Sequence, residues 1–135
     1  MRVYVNEAFR ALGVTLRAPQ DGDAGYDLYA VDAVEIAAGE RALIPTGVHV
    51  EIPTGYVGII KDRSSMALAG LHCMAGVIDA AYRGEIRILL LNTNKTPYHV
   101  TTGQKIAQML VVPYYGQVLE TVETLEALSA TERGA

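Results

Sequence analysis

Residues 76–86 read Gly-Val-Ile-Asp-Ala-Ala-Tyr-Arg-Gly-Glu-Ile, placing one carboxylate, Asp79, in an apolar stretch with an aromatic ring, Tyr82, three residues on. A carboxylate is ionised at neutral pH and, if aimed at a water, is a general base. The same Asp could instead open a turn by bonding its own backbone, and the Tyr could simply pack the strand beside it. Arg63-Ser64-Ser65 combines a charged fork with two hydroxyls ahead of a short helical stretch, a set that suits phosphate, although it also reads as a helix cap beside a surface Arg. Gln108 interrupts the apolar run Ile106-Ala107-Gln108-Met109, so its amide needs a partner unless it lies on a solvated face. Asp27, in Gly25-Tyr26-Asp27-Leu28, is either a strand-edge residue facing water or a contributor to Mg²⁺, which commonly takes one or two carboxylates plus substrate phosphates and keeps several waters.

Other chemistries find little support. His49, His72 and His99 are far apart and lack metal-ligand spacing, which argues against a protein-caged zinc. Cys73 is the only cysteine, so an internal disulfide is excluded; no pattern marks it as a thiolate nucleophile, and Ser64 lacks an evident His partner. The net charge of −4, with no basic run, leaves no means of capturing a nucleic acid polymer. It also means that a triphosphate ligand would need a local cluster of cations. With no signal peptide and no apolar run of membrane-spanning length, a cytoplasmic protein without membrane contact is expected.

To position these residues the chain has 135 residues, half of them hydrophobic, with 13 Gly and 5 Pro scattered between short apolar runs. This composition favours many strands in one domain, residues 1–135. Strands are expected near 2–5, 26–31, 33–36, 41–44, 47–51, 55–60, 75–78, 84–91, 97–100, 105–112 and 117–119, with turns at Ala38-Gly39, Pro45-Thr46-Gly47, Pro53-Thr54-Gly55 and Thr102-Gly103. One short helix is expected from about Ser65 to Ala69, with a Ser hydroxyl as N-cap and Gly70 at its end. Val77-Ile78 and Glu85-Ile86-Arg87-Ile88 read as the two strands of a hairpin with Asp79 at its tip and Gly84 permitting the return. Strands 55–60 and 86–91 barely alternate, so both their faces are expected to be covered, the second by another subunit.

Taken in order, Ala24-Gly25-Tyr26-Asp27-Leu28-Tyr29-Ala30, Arg63-Ser64-Ser65-Met66-Ala67-Leu68, the 76–86 segment and Gly103-Gln104-Lys105-Ile106-Ala107-Gln108-Met109 resemble the first four of five motifs of the all-β deoxyuridine triphosphatase (dUTPase) family, across nearly the whole chain. The resemblance implies a distorted antiparallel jelly-roll-like barrel or sandwich that assembles as a homotrimer with shared sites. It implies that Asp79 is the general base for water attacking the α-phosphate of dUTP, giving dUMP and pyrophosphate. Arg63, Ser64, Ser65 and Gln108 would then hold the phosphates, and Asp27 would stand near the water shell of Mg²⁺. Gly76, Val77 and Ile78 would read the uracil edge, and Tyr82 would pack on the deoxyribose and exclude a 2′-hydroxyl. The family's fifth motif is Arg-Gly-rich with a Phe that closes over the base. Only its first residues match here, in Thr131-Glu132-Arg133-Gly134, and the sole Phe is Phe9, so the remainder is expected to follow in the natural protein, with Arg133 as a phosphate ligand. A second departure is Asp62, where the family commonly has Gly or Pro before the Arg.

The rival enzyme is a dCTP deaminase of the same fold, which shares the Arg-Ser-Ser segment but acts through a Glu and lacks the Asp-x-x-Tyr tip. Here Glu85 reads as a strand residue. A nucleotide-responsive regulatory binding module is the alternative from another class, and a β-sandwich without a site is the third.

Overall fold

In a computed structural model, residues 1–129 are described, and they form an almost entirely antiparallel β structure. One four-stranded sheet has the order β1 (Arg2–Val5), β4 (Arg41–Glu51), β8 (Ile86–Asn92), β6 (Leu71–Met74), and a second has β2 (Tyr26–Tyr29), β10 (Lys105–Pro113), β5 (Tyr56–Lys61), β7 (Val77–Ile78). A third, two-stranded sheet pairs β3 (Val34–Ile36) with β9 (Tyr98–Val100). Phe9, Leu28, Ile36, Ile44, Ile86, Ile88, Leu90, Ile106 and Met109 are fully buried in one shared cluster. Burial of such side chains contributes about 1.5–3 kcal/mol each.

The expected hairpin around Asp79 does not form. β7 pairs with β5, Gly58 opposite Ile78, whereas β8 pairs with β4 and β6. Residues 79–85 therefore cross from one sheet to the other, and Asp79 sits at the start of that crossover, in a turn closed by the Tyr82 N–H donating to the Asp79 carbonyl at 3.0 Å. Alternation identifies a strand but not its neighbour, which is why a sequence reading joins the two halves.

Four further expectations change. The expected strands 41–44 and 47–51 are one strand with a bulge between Pro45 and Val48, where the buried Thr46 hydroxyl donates to the Ile86 carbonyl at 2.6 Å and so replaces a ladder bond that Pro45 cannot make. The helix forms, α2 (Ser64–Leu68), but its N-cap is Arg63 with no side-chain cap bond, and a second helix, α1 (Glu7–Arg10), precedes it, capped by Asn6 accepting from Phe9 N–H. A 3₁₀ turn at Leu125–Ala127 also occurs, whereas 117–119 makes no strand and leaves Val118 and Leu119 at least 90% exposed. β6 is not among the expected strands, and the expected strand 75–78 is shortened to β7; Ala75, at φ 66°, lies between the two.

The burial of the apolar strands alternates within one chain. In β8, Ile86, Ile88 and Leu90 are buried while Arg87 is exposed and Leu89 and Leu91 are half-buried. Within one chain the second face is thus open, and Leu43, opposite Leu89, is 54% exposed.

Candidate active site

The sequence-derived site residues fall into two groups on one chain. Val77, Ile78, Asp79, Tyr82, Gly84 and Glu85 line a cleft of about 600 Å³, whereas Arg63, Ser64, Ser65, Gln108, Gly25 and Asp27 line a separate, more polar one with no residue in common. Gly76 lies beside the first group and Arg133 lies outside the described residues.

The first cleft is shaped by backbone. Ala75 occupies the left-handed region, which costs an ordinary residue on the order of 1–2 kcal/mol, and the Gly76 carbonyl accepts from Ile60 N–H at 2.9 Å. The segment approaching Asp79 is therefore held in one conformation, with the exposed carboxylate of Asp79 beyond it. Tyr82 folds back over its own turn. Its hydroxyl donates to the Glu85 carbonyl at 2.8 Å, and its ring lies so close to Gly84 that a Cβ there would stand 2.5 Å from Cζ. Gly84 is required by this close approach and not by a left-handed φ, which it does not adopt. Glu85 accepts from Gly47 N–H at 2.8 Å and faces Arg87 at 3.5 Å, so it fastens the crossover to the β4 bulge.

The second cleft is assembled by register. On β10, Gln108 stands opposite both Asp27 of β2 and Lys61 of β5, which brings three motifs from distant parts of the sequence to one place. The Gln108 amide has its partner: Nε2 donates to the Asp62 carbonyl at 3.0 Å, and Gly25 leaves the space that the amide fills. Asp27 is not a free carboxylate facing water. One oxygen lies 3.3 Å from Arg63 Nε and the other 2.9 Å from Lys105 Nζ. The hydrogen bond and charge of Asp27 raise the pKa of Lys105, so this lysine stays cationic. Lys105 is the residue that motif reading missed; only the β2–β10 pairing places it beside Asp27. Two cations thus share one carboxylate at a half-exposed site. Pairs of this kind contribute only about 0–1 kcal/mol, so an arriving polyanion can take over the cations at small cost. Because α2 has only five residues, the positive charge at this cleft comes from Arg63 and the neighbouring Lys105 more than from a helix dipole.

Among the described residues, no cluster of three or more His, Cys, Asp or Glu is arranged to cage a metal ion. Asp27, with Asp23 lining the same cleft, fits instead a Mg²⁺ that arrives on a phosphate chain and keeps most of its waters. Cys73 is buried, and its thiol pKa is pushed up to about 12, first by burial and then by the adjacent Asp62, which makes it a poor nucleophile. No helix among the described residues is long and apolar enough to cross a membrane.

Comparison with known proteins bears on the family and the fold. Residues 14–135 match the family model for dUTPase. A deoxyuridine 5′-triphosphate nucleotidohydrolase of Cutibacterium acnes is 45% identical over 122 residues, covering 87% of this chain and 78% of the relative. The Staphylococcus bacteriophage 80alpha dUTPase with dUpNHpp superposes with a TM-score of 0.86 at 28% identity over 98% of this chain and 92% of that one. A variant of the dUTPase from phage phi11 of S. aureus, described with the coordination of a structural Mg(II) ion, gives 0.82 at 27% identity over 93% and 97%.

Proposed function

The chain belongs to the dUTPase family and is a dUTP-hydrolysing enzyme, and we propose that Asp79 is the base that activates water against the α-phosphate, releasing dUMP and pyrophosphate. Such a reaction limits uracil in DNA and supplies dUMP for thymidylate synthesis. The observation that carries the assignment is that Asp79 lines one cleft together with Val77, Ile78 and Tyr82, two apolar side chains and an aromatic ring against which a pyrimidine nucleoside can pack.

The reaction divides between the two clefts. The strained segment Ala75-Gly76-Val77 and Ile78 present main-chain groups to the uracil edge, and Tyr82, pinned over Gly84, leaves no room for a 2′-hydroxyl. Arg63, Lys105, Ser64, Ser65 and Gln108 hold the phosphates in line, with Arg133 added from the C-terminal segment. Asp79 accepts a proton from the attacking water, a contribution of about 10²–10⁴ in rate. Fixed positive charge on the leaving pyrophosphate provides the larger share, since electrostatic preorganisation usually outweighs every other contribution to such a rate. Mg²⁺ held through water by Asp27 would add to that neutralisation.

Because the two clefts are separate on one chain, the reading requires copies to associate so that Asp79 of one subunit meets Arg63 of another, in the homotrimer that the family resemblance implies. The open apolar face of Leu43, Leu89 and Leu91, and the exposed Val118, Leu119 and Leu125, support burial between copies. The surroundings of such a trimer are aqueous, and the cytoplasm is its proposed location. The deaminase reading is disfavoured because Glu85 is already tied to Gly47 N–H and Arg87. Pyrophosphate release measured across dUTP, dCTP, dTTP and UTP, with and without Mg²⁺, tests the proposal. Release from dUTP alone is expected, and ammonia from dCTP would overturn it.

A further inference from the structure

Asp62 stands where the resembled family commonly has Gly or Pro, and both of its carboxylate oxygens are hydrogen-bonded. Oδ1 accepts from Cys73 N–H at 2.6 Å, and Oδ2 accepts from His72 Nδ1 at 2.6 Å. Both partners lie on β6, in the opposite sheet from β5, which delivers Asp62. The Asp62 carbonyl meanwhile receives the Gln108 amide from β10 at 3.0 Å. The residue is thus gripped from two sheets at once, and the next residue in the chain is Arg63. Burial works against ionisation of this carboxyl, but the Cys73 N–H, the His72 ring and the Cys73 thiol outweigh it and hold the pKa below the ordinary range, so the anchor is ionised at neutral pH.

Gly permits many backbone conformations and Pro fixes one covalently. Here a hydrogen-bonded carboxylate does what a ring does by geometry. We propose that Asp62 is a positioning residue for dUTP hydrolysis, whose carboxylate, clamped by Cys73 N–H and His72, fixes the turn from which Arg63, Ser64 and Ser65 reach the phosphate chain.

The proposal rests on the assignment of Arg63 and the serines to the triphosphate, and it separates phosphate grip from nucleoside grip. Asp62→Ala removes both carboxylate bonds. It should weaken binding of the non-hydrolysable dUpNHpp, and raise KM for dUTP, by about tenfold, the order expected from losing one charge-assisted hydrogen bond's worth of ordering. Binding of deoxyuridine, which has no phosphate, should stay within about twofold of the parent protein. Asp62→Asn keeps an oxygen to accept from Cys73 N–H and should recover most of the loss. A purely structural role would weaken both ligands alike and would not be rescued selectively. Isothermal calorimetry on the parent, Asp62→Ala, Asp62→Asn and His72→Gln chains reads all of this; His72 is exposed, so its variant folds even if Asp62→Ala does not, and it should show a smaller loss of the same kind. Equal affinities for dUpNHpp in the parent and in Asp62→Ala or, failing that, His72→Gln overturn the proposal, as does equal weakening of both ligands. If instead the parent protein fails to hydrolyse dUTP, the functional assignment falls first.

Discussion

Gly84→Ala isolates the role of Tyr82, because the backbone at 84 accepts alanine while the space does not. Gly84 is not in the left-handed region, so no φ penalty arises. A Cβ at 84, however, would lie 2.5 Å from Tyr82 Cζ and 2.8 Å from Cε2, closer than real side chains come, and the ring must swing away. The movement breaks the 2.8 Å bond from the hydroxyl to the Glu85 carbonyl. Its loss costs about 0.5–1.5 kcal/mol. Replacing Gly by Ala returns about 0.4–1 kcal/mol by narrowing the unfolded ensemble. Stability should therefore change by less than about 1 kcal/mol, moving the melting temperature by no more than about 5 °C. Selectivity should respond far more. If the ring is the wall that rejects a 2′-hydroxyl, displacing it should reduce the ratio of kcat/KM for dUTP over UTP by roughly 10-fold to 200-fold, the range spanned by about 1–3 kcal/mol of pocket fit. Steady-state kinetics on both nucleotides with a thermal melt of the same preparation gives both numbers. An unchanged ratio would refute the assignment of Tyr82 to sugar selection.

Three other outcomes follow from the geometry. Gly25→Ala drives a methyl onto Gln108 Oε1, with the amide carbon Cδ 3.0 Å away, and should raise KM for dUTP by about tenfold through loss of the Gln108–Asp62 bond, while KM unchanged would place Gln108 outside the site. Asp62 has a folded-state pKa below its unfolded value, so its stabilisation is present above the unfolded value near 4 and is lost as pH falls through the folded one; urea melts of Asp62→Asn should lie below the parent at neutral pH and converge with it under acid, and a constant gap down to the lowest pH would contradict the assignment. Asp79→Asn and Arg63→Ala chains, each inactive alone, should regain activity when refolded together, to roughly a quarter of the parent's sites if random association lets one chain supply the base and another the phosphate grip. No recovery would mean that each site is built within one chain.

The strands were largely legible because short apolar runs between Gly- and Pro-containing turns leave little alternative, and nine of ten observed strands overlap an expected one. Pairing was not legible, and it governs the site. Val77-Ile78 and Ile86-Arg87 look like the two arms of one hairpin, yet long-range partners on β5 and β4 separate them into different sheets. Asp79 and Gln108 stand out in the sequence because each breaks an apolar or small-residue context, and Arg63 because two serines follow it. Asp62 stands out only as a departure from the family pattern and Lys105 not at all; their contacts with His72 and Cys73 and with Asp27 are made only by the folded register. The helix cap misleads for a related reason: Ser64 and Ser65 are good cap residues, but they lie within the first turn, and Arg63 takes the cap position without a side-chain bond.

The central claim is that Asp79 takes a proton from the attacking water and does little to hold the nucleotide. Asp79→Asn keeps shape and removes the basic oxygen, so dUpNHpp affinity by calorimetry should stay within about threefold, while kcat for dUTP should fall by about 10² or more. Near-parental kcat, or a loss of affinity as large as the loss of rate, would contradict the account.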